Sequence, residues 1–464
     1  MKEKNVTFLY KALRDEINFG IAFLIPLLKK YGYNPSLICW DNETTEEEII
    51  SRLSREKGVL LISALSQHWY EMSGSLPKIK EAFDGPVIIG GWHAIISPED
   101  IYPNAGVDGI CLGDGEEPIL YFLDHYFYGK KCPPIPGLAG KKGYFTEDFW
   151  GGHWYVRDLN IYPYAEYDMF PLITQNLIEK GNPFYSPGNL SIRTLSVLSG
   201  RGCPFRCNYC NNTCRMQLFP SLTRYLRKID PEILIFNLAK FKREYDVEVF
   251  HFNDELFDFN RKWLNDFLPL YSRKIGLPFS CTVRIDHISE DKIAFMAKHG
   301  LKIVIFGLES GDENYRKKYL NKKITDEQIK RGVDLLKRHD LIVLATNMIG
   351  MPFETEETMR KTIEMNQELD IDISYFFAWQ PLPKTKLAEM ALKEGILEEV
   401  KVDYYYKVAN LKEPPRELVE KMLQIAINVP NSFLRKEVID RNIEKLKQTQ
   451  TKKGFLASLF SKSA

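Results

Sequence analysis

The chain has 464 residues, of which 44% are hydrophobic and 13% aromatic, and its 62 basic residues are matched by 62 acidic ones. This composition excludes a disordered or fibrous protein, and the balanced charge provides no overall field that would attract DNA or RNA. The length predicts two large folded units with connecting segments.

The first residues lead directly into an apolar strand at 6–10, without the features of a secretion signal, and no apolar run is long enough to span a membrane. We therefore expect a cytoplasmic protein. Thiols stay reduced in the cytoplasm, so clustered cysteines are better candidates for metal ligands than for disulfides. Of the eight cysteines, four fall between residues 203 and 214.

Residues 1–128 alternate short apolar segments with helix-like ones. This pattern indicates an α/β fold with a doubly wound parallel sheet covered by helices on both faces. Ligands bind such sheets outside the carboxyl ends of the strands, which are polar and rich in glycine here. Each glycine turn could serve a ligand or only a tight bend. The predicted strands are 6–10, 36–40, 59–63, 87–90 and 107–112, and their polar ends include 63–67, 90–93 and 113–117.

The Gly-Gly-x-His turn at 90–93, followed by Ser-Pro-Glu at 97–99, and the Gly-Asp-Gly-Glu-Glu turn at 113–117 resemble a known domain. It is the cobalamin-binding domain that precedes the catalytic core in a large class of radical S-adenosylmethionine (SAM) enzymes. The resemblance covers most of residues 1–128 and implies a flavodoxin-like domain that binds cobalamin. The contacts that it implies come from Ser63, Ser66, Gln67, Gly90, Gly91, His93, Gly113, Gly115 and Glu116.

One signature of cobalamin domains is absent. The Asp-x-His-x-x-Gly motif, whose histidine is the lower cobalt ligand in the methionine-synthase type of domain, does not occur in the chain. His93 is therefore interpreted as a loop residue near the pocket and not as a cobalt ligand. Some relatives keep the sheet and bind no corrinoid.

Residues 129–190 are rich in Gly, Pro and Tyr. So many aromatic residues do not suit a solvated tether, so we predict an ordered, irregular linker that packs between two domains. Within it, residues 157–168 resemble the bridging segment of the same enzyme class.

Three cysteines follow a predicted strand at 194–199, in the sequence Gly200-Arg-Gly-Cys203-Pro-Phe-Arg-Cys207-Asn-Tyr-Cys210. Thiolates separated by three and two residues can each bind a different iron of one [4Fe–4S] cube, when glycines let the loop curl. The fourth iron would then lack a protein ligand. It could bind the amino and carboxylate groups of SAM and so place the sulfonium beside the cluster.

Other interpretations of these cysteines fit less well. A structural zinc site needs four Cys or His ligands in paired knuckles, and the chain has no second Cys-x-x-Cys. Bacterial ferredoxins add a fourth cysteine followed by proline, whereas Cys214 is followed by Arg215. We interpret Cys214 as a bystander. An inert cysteine-rich turn is the remaining alternative.

Cys-x-x-x-Cys-x-aromatic-Cys is the signature of the radical SAM superfamily, and the resemblance extends over roughly residues 191–390. It implies that Cys203, Cys207 and Cys210 hold the cluster and that Tyr209 lies against the adenine side of SAM. Strands and helices continue to alternate through this region, which predicts a partial (β/α)6 barrel whose active face is the carboxyl end of its strands. The predicted strands are 194–199, 247–252, 278–283, 302–306, 342–347 and 371–377.

SAM carries an amine, a carboxylate and ribose hydroxyls, so its site needs acceptors and a cation. Asp254 or Glu255 could accept the amine, and Arg284 could bind the carboxylate. Glu309 with Ser310 could bind the ribose. The resemblance agrees, because Asp254 and Glu255 stand where the family has a Gly-Gly-Glu motif. Strand-end carboxylates can instead cap helices or form surface ion pairs.

Two further turns follow later strands of the barrel. Glu354 and Thr355 are interpreted as helix-start residues, since Thr355-x-x-Thr358 begins a helical run. The family's Pro-Gly-Thr after the sixth strand is Pro383-Lys384-Thr385 here, which departs from the pattern at its glycine. No catalytic acid or base is assigned.

Residues 391–464 are predicted to be mostly helical. Such a region can close the barrel over a substrate or only pack against it. At the end of the chain Phe455, Leu456, Leu459 and Phe460 stand among Lys452, Lys453 and Lys462. This segment could contact a membrane surface, or it could be a frayed tail.

These predictions combine into one hypothesis, a cobalamin-dependent radical SAM methyltransferase that acts on an unactivated carbon. One SAM would yield a 5′-deoxyadenosyl radical, and a second would supply the methyl group through cobalamin. The alternatives are a carbon–carbon coupling, cyclisation or rearrangement enzyme with a vestigial cobalamin domain, and an iron–sulfur electron carrier without SAM turnover. The implied partners are a small-molecule, lipid or peptide substrate and an electron donor such as flavodoxin or ferredoxin.

Overall fold

The computed structural model describes residues 3–11, 17–171, 193–219, 221–403 and 407–460, with side chains described as far as residue 448. Two large sheets organise the chain, the first mostly parallel and the second wholly parallel. The sheets meet at their carboxyl ends, where a single cavity is lined by residues from both of them.

The N-terminal sheet has seven strands in the order β2-β1-β3-β4-β5-β6-β7. Its first five strands pair in parallel and confirm the predicted doubly wound sheet. The last two are antiparallel and lie in the segment predicted as a linker, so the sheet continues past residue 128. The strands are β1 (Asn5–Lys11), β2 (Asn34–Trp40), β3 (Val59–Ser63), β4 (Val87–Gly90), β5 (Gly109–Cys111), β6 (Leu138–Gly140) and β7 (Phe149–Trp150).

Helices cover both faces of this sheet because its strands are apolar on both sides. One face contributes Val6, Phe8 and Tyr10 to a core shared with the barrel, and the other contributes Leu9 to a separate core. The helices are α1 (Phe19–Lys30), α2 (Glu46–Leu53), α3 (Ser66–Met72), α4 (Leu76–Ala82), α5 (Trp92–Ile96), α6 (Pro98–Ile101) and α7 (Glu116–Phe127).

The second sheet is a six-stranded, all-parallel half-barrel, in the order β15-β14-β13-β12-β11-β8. It confirms the predicted strand count and leaves one side of the barrel open. A small antiparallel pair, β9 with β10, follows the first strand. The strands are β8 (Thr194–Val197), β9 (Gly200–Arg201), β10 (Arg227–Lys228), β11 (Val249–Phe252), β12 (Phe279–Thr282), β13 (Leu301–Glu309), β14 (Ile342–Ile349) and β15 (Ile373–Ala378).

Helices pack on the outside of the half-barrel, except for the first of them, Asn211–Gln217, whose Arg215 lines the cavity between the two sheets. Thr355 caps one of them in a capping box with Thr358, as its sequence predicts. These helices are α8 (Asn211–Gln217), α9 (Leu222–Tyr225), α10 (Pro231–Glu244), α11 (Arg261–Lys274), α12 (Glu290–Lys298), α13 (Glu313–Lys318), α14 (Asp326–Arg338) and α15 (Glu356–Glu368).

The C-terminal region is helical, with α16 (Lys386–Lys393), α17 (Arg416–Ile427) and α18 (Lys436–Phe460). Val438 and Ile439 of α18 pack against Ile303 and Ile342 at the amino ends of barrel strands. Apolar side chains therefore cover the amino ends of these strands, and the cavity lies at the opposite, carboxyl ends. The side chains from Lys452 to Lys462, on which the membrane-contact hypothesis depends, lie outside the described residues. Among the described residues, no helix is long and apolar enough to cross a membrane.

Candidate functional site

A cavity of about 1440 Å³ lies between the two sheets. It exceeds the roughly 300–1,000 Å³ of ordinary small-molecule sites, so it has room for more than one large ligand. The predicted residues that line it are Ser63, Gln67, Gly90, Gly91, Gly113, Gly115 and Glu116 from the N-terminal domain, and Tyr209, Cys210, Glu255 and Glu309 from the barrel.

The three cysteines lie on the loop between β9 and α8, and all three are free and partly buried. Burial, together with the negative charge of Cys207, raises the pKa of Cys203 to about 11 and that of Cys210 to about 12. Gly202 lets the loop turn here, because its φ is +102° and a Cβ would lie 2.6 Å from the carbonyl oxygen of Tyr225.

These thiols fit a cubane cluster by their chemistry and by their spacing along one loop. Among the described residues, no group of three His, Cys, Asp or Glu side chains converges on a point suited to one metal ion. A [4Fe–4S] cluster does not require such convergence, because each thiolate binds a different iron. Cys214 lies beyond the loop, on α8, and its Sγ donates to the carbonyl oxygen of Lys384 at 2.9 Å.

Arg284, predicted to bind the SAM carboxylate, faces the cysteine loop and lies outside the cavity lining. Its Nη1 is 3.8 Å from Cys207 Sγ, and its guanidinium carbon lies 3.9 Å from the centre of the Phe205 ring. Asp286 fixes this orientation by accepting a hydrogen bond of 2.8 Å from Nε. This arrangement places a positive charge beside a predicted cluster ligand.

Glu255 and Asp254 separate into different environments. Glu255 lines the cavity and accepts a hydrogen bond of 3.1 Å from the backbone N–H of Gly202. Asp254 is buried outside the lining, where it accepts from the Ser199 amide and hydroxyl and lies 3.7 Å from Lys228 Nζ. Of the two candidates for the SAM amine, the geometry favours Glu255 and gives Asp254 a role in fixing the end of β8.

Glu309 lies at the end of β13, in the wall of the cavity. It accepts hydrogen bonds from the hydroxyl of Tyr209 at 2.9 Å and from Lys322 Nζ at 3.2 Å. Burial and the nearby negative charges of Cys207 and Glu309 raise the pKa of Tyr209 well above its ordinary value, so its hydroxyl stays a donor. Ser310, predicted beside Glu309, is instead fully buried, and its Oγ accepts from the Asp312 amide at 3.3 Å.

At two positions of the N-terminal domain, the neighbouring backbone lies so close that only glycine fits. At Gly91, where φ is +95°, a Cβ would lie 2.7 Å from the Ala64 carbonyl oxygen. At Gly113 a Cβ would lie 1.9 Å from that of Trp154. Both loops therefore pack closely against neighbouring backbone of the same domain.

Ser66 and His93 are predicted cobalamin contacts that the structure places outside the cavity lining. The His93 ring is fully buried, hydrogen-bonds Ser66 Oγ at 3.1 Å and stacks on Trp69 with ring centres 5.4 Å apart. This position agrees with the interpretation that His93 is not a cobalt ligand.

An ion network that no sequence motif indicates joins the two domains. Asp114, in the loop before α7, lies 3.0 Å from Arg201 Nη1, 3.2 Å from Arg215 Nη2 and 2.6 Å from Arg227 Nη1. Burial alone would raise the pKa of Asp114, but the three arginines hold it well below its ordinary value. The Gly-Asp-Gly-Glu-Glu turn indicated a ligand loop, and nothing in it indicated partners 85 to 113 residues away in the chain.

The chain is similar in sequence to known proteins. A model of the Radical SAM superfamily matches residues 197–365. An uncharacterized methyltransferase of Pyrococcus horikoshii is 27% identical over 363 residues, which are 77% of this chain and 74% of that protein. The anaerobic magnesium-protoporphyrin IX monomethyl ester cyclase of Rubrivivax gelatinosus is 23% identical over 458 residues, covering 95% of this chain and 75% of its own.

A solved structure shares the fold. It is the radical SAM methyltransferase TsrM from Kitasatospora setae, with cobalamin and a [4Fe–4S] cluster bound. It matches with a TM-score of 0.64 at 15% identity, over 84% of this chain and 78% of that one. The combination of an N-terminal doubly wound sheet, a half-barrel and a helical C-terminal region is thus a known architecture.

Proposed function

We propose that this chain, which carries a radical SAM domain and has the fold of cobalamin-dependent radical SAM enzymes, transfers a methyl group to an unactivated carbon of its substrate. One observation carries the proposal. Residues at the carboxyl ends of both sheets, among them Gly90 and Cys210, line the same cavity. A ligand of the N-terminal domain and a ligand of the barrel would therefore face each other.

The predicted site residues would bind three ligands. Cys203, Cys207 and Cys210 would hold the cluster. Glu255, Glu309 and Tyr209 would bind SAM, and the loops ending β3, β4 and β5 would hold cobalamin. When bound, the cluster supplies the electron that cleaves SAM, and cobalamin supplies the methyl group.

The protein's own contribution is binding, orientation and exclusion of water. Glu255 accepts a hydrogen bond from a backbone N–H, and Glu309 accepts hydrogen bonds from Tyr209 and Lys322. Both carboxylates are therefore held in place before a ligand binds. Such preorganisation removes the cost of ordering side chains on binding. An electron carrier has no need of these carboxylates in a cavity, which supports an enzyme over the carrier hypothesis.

A second candidate is ring closure or another carbon–carbon coupling without net methylation. The similarity to the Rubrivivax gelatinosus cyclase, which extends over 95% of this chain, favours it specifically. The two candidates share the cluster and SAM site and differ in the fate of the SAM methyl group. Either reaction would take a small-molecule, lipid or peptide substrate and an electron donor such as flavodoxin or ferredoxin.

Anaerobic reconstitution with iron, sulfide and cobalamin, followed by reduction in the presence of SAM labelled in its methyl group, tests the proposal. We expect the corrinoid to stay bound through desalting and to acquire the label, and 5′-deoxyadenosine to form. Cys210→Ala protein serves as the control and should form no 5′-deoxyadenosine. Bound corrinoid that never acquires label would overturn methyl transfer in favour of the second candidate, and no SAM cleavage at all would overturn both.

A further inference from the structure

Ion pairs connect the loop that precedes α7 in the N-terminal domain to both ends of the cysteine loop. Asp114 in the first loop contacts Arg201, two residues before Cys203, and Arg215, five residues after Cys210. Arg227 on β10 completes the set, and its Nη1 also donates to the Val156 carbonyl oxygen at 2.5 Å. One carboxylate therefore holds the segments on either side of the three cysteines.

The contacts continue to the predicted SAM-binding carboxylate. Arg201 Nη2 donates to Glu116 at 2.9 Å, while its Nη1 binds Asp114. Arg215 Nη1 lies 3.9 Å from Glu255, which in turn accepts the amide of Gly202. Because Gly202 follows Arg201 in the chain, these contacts close into a ring that joins the two predicted cofactor sites.

The charges of this ring balance. Arg201, Arg215 and Arg227 face Asp114, Glu116 and Glu255, and Asp114 and its three arginine partners have side chains that are at most 14% exposed. Apolar residues of similar volume stabilise a protein at least as well as a buried ion network. The network instead fixes the relative orientation of the segments that it joins, because the guanidinium group of an arginine binds two acceptors in fixed directions. Aromatic faces of Trp92 and Phe219 restrain the guanidinium groups further.

We propose that Asp114 is a positioning residue that fixes the N-terminal ligand loop relative to the cysteine loop, and with it the distance between cobalamin and the iron–sulfur cluster. The inference rests on the proposed function for the identity of the two cofactors. Reactions between two bound groups depend steeply on their separation, since a misplacement of about 1 Å can cost about a hundredfold in rate.

Asp114→Asn tests the inference, because it keeps the shape of the side chain and removes the charge that three arginines share. The separation of Co(II) cobalamin and the reduced cluster, both paramagnetic, is measured by pulsed EPR in the reconstituted protein. We expect the distance distribution to become longer or broader than in the wild type. An unchanged distribution would overturn the inference.

Two control variants separate positioning from general destabilisation. Asp258→Asn breaks a buried ion pair inside the barrel, where Lys292 lies 2.8 Å away. Glu99→Gln breaks an exposed ion pair between the domains, where Lys384 lies 2.5 Å away. Both should leave the distance distribution as in the wild type. A shift of equal size in either control would also overturn the inference.

Amide hydrogen exchange on the cofactor-free chain tests the same inference independently of cobalamin. Asp114→Asn should raise exchange at residues 113–117 and 200–202 by about tenfold, and Asp258→Asn should not. If the corrinoid does not bind, the proposed function fails while this comparison still decides the role of Asp114. If Asp114→Asn does not fold, Arg201→Lys, which keeps the charge and loses the fork, should show the same pattern, and unchanged exchange there would overturn the inference.

Discussion

The hydroxyl of Tyr209 donates a hydrogen bond of 2.9 Å to Glu309, and so joins the cysteine loop to the end of β13. Glu309 has a φ of +66°, a left-handed conformation that costs an L-residue other than glycine roughly 1–2 kcal/mol. Lys322 donates to the same carboxylate oxygen and also to the carbonyl oxygen of Gly307. The strained backbone is thus held by side chains that fix the carboxylate toward the cavity.

Removing this hydroxyl should weaken SAM binding. We expect Tyr209→Phe to raise the Kd for SAM about 5- to 10-fold, as for loss of a hydrogen bond to a charged group worth about 1–1.5 kcal/mol. Equilibrium dialysis with the anaerobically reconstituted protein measures this. Tyr315→Phe is the matched control, because its buried hydroxyl donates to the Pro352 carbonyl oxygen at 2.6 Å outside the cavity lining. Equal Kd values for Tyr209→Phe and the wild type would contradict the prediction.

The cluster should depend on three cysteines and not on the fourth. Alanine at Cys203, Cys207 or Cys210 removes a ligand of one iron, so we expect each variant to lose the cluster absorbance and most of its bound iron and sulfide. Cys214→Ala should keep both, because Cys214 Sγ is hydrogen-bonded to the backbone of Lys384. Loss of the cluster in the Cys214 variant would show that the bystander interpretation is wrong.

The fold was predictable because its signals are local. Apolar strands such as 59–63 and 342–349 occur at regular intervals with helices between them, and each strand ends in polar or glycine residues. The antiparallel strands β6 and β7 were not predictable in this way. They are only three and two residues long, and β6 pairs with β5 while β7 pairs with β6, through contacts that local periodicity does not encode.

Only those site residues that belong to strand-end motifs were predictable from the sequence. Glu255 and Glu309 line the cavity as the motif spacing indicates, whereas the role of Asp254 depends on a buried lysine 26 residues earlier in the chain, Lys228. The partners of Asp114 were equally hidden. Arginines spread over three short segments converge only after both domains have folded.

Lys384 occupies the glycine position of the Pro-Gly-Thr turn, with a φ of +57°. Glycine adopts this conformation without strain, so Lys384→Gly should be more stable than Lys384→Ala by about 1 kcal/mol. Both variants lose the ion pair with Glu99, so the difference between their stabilities reports the cost of the backbone conformation alone. Urea unfolding midpoints measure it. Glu99→Gln, which removes only the exposed ion pair, should cost less than about 1 kcal/mol.

Arg284 should raise the reduction potential of the cluster. Its guanidinium lies 3.8 Å from Cys207 Sγ, and a positive charge there stabilises the reduced form, which carries one more electron. We expect Arg284→Gln to lower the midpoint potential by on the order of 50 mV, since about 59 mV corresponds to a tenfold change for one electron. An EPR-monitored redox titration measures the shift. Arg284→Lys keeps the charge and should shift the potential less, so an equal shift would point to geometry and not charge.

Buried histidines should make the fold sensitive to acid. Burial lowers the pKa of His93 from its ordinary value of 6.5 to about 4, so the folded protein keeps this ring neutral. Below pH 6.5 the unfolded chain binds a proton that the folded chain refuses until about pH 4. The stability contributed by the neutral ring is therefore complete above pH 6.5 and is lost as the pH falls through this window, by at most roughly 3 kcal/mol.

His93→Gln should accordingly flatten the fall in stability with acid. We expect its urea midpoint to decline less than that of the wild type between pH 6.5 and 4, although its stability at neutral pH is lower because the stacking on Trp69 is lost. His287→Gln is the control, since the His287 side chain is 56% exposed. It should follow the wild-type curve. A His93→Gln curve parallel to the wild type would contradict the prediction for this ring. Burial also lowers the pKa of His68 and His251 to about 4, so these two rings are the next to substitute.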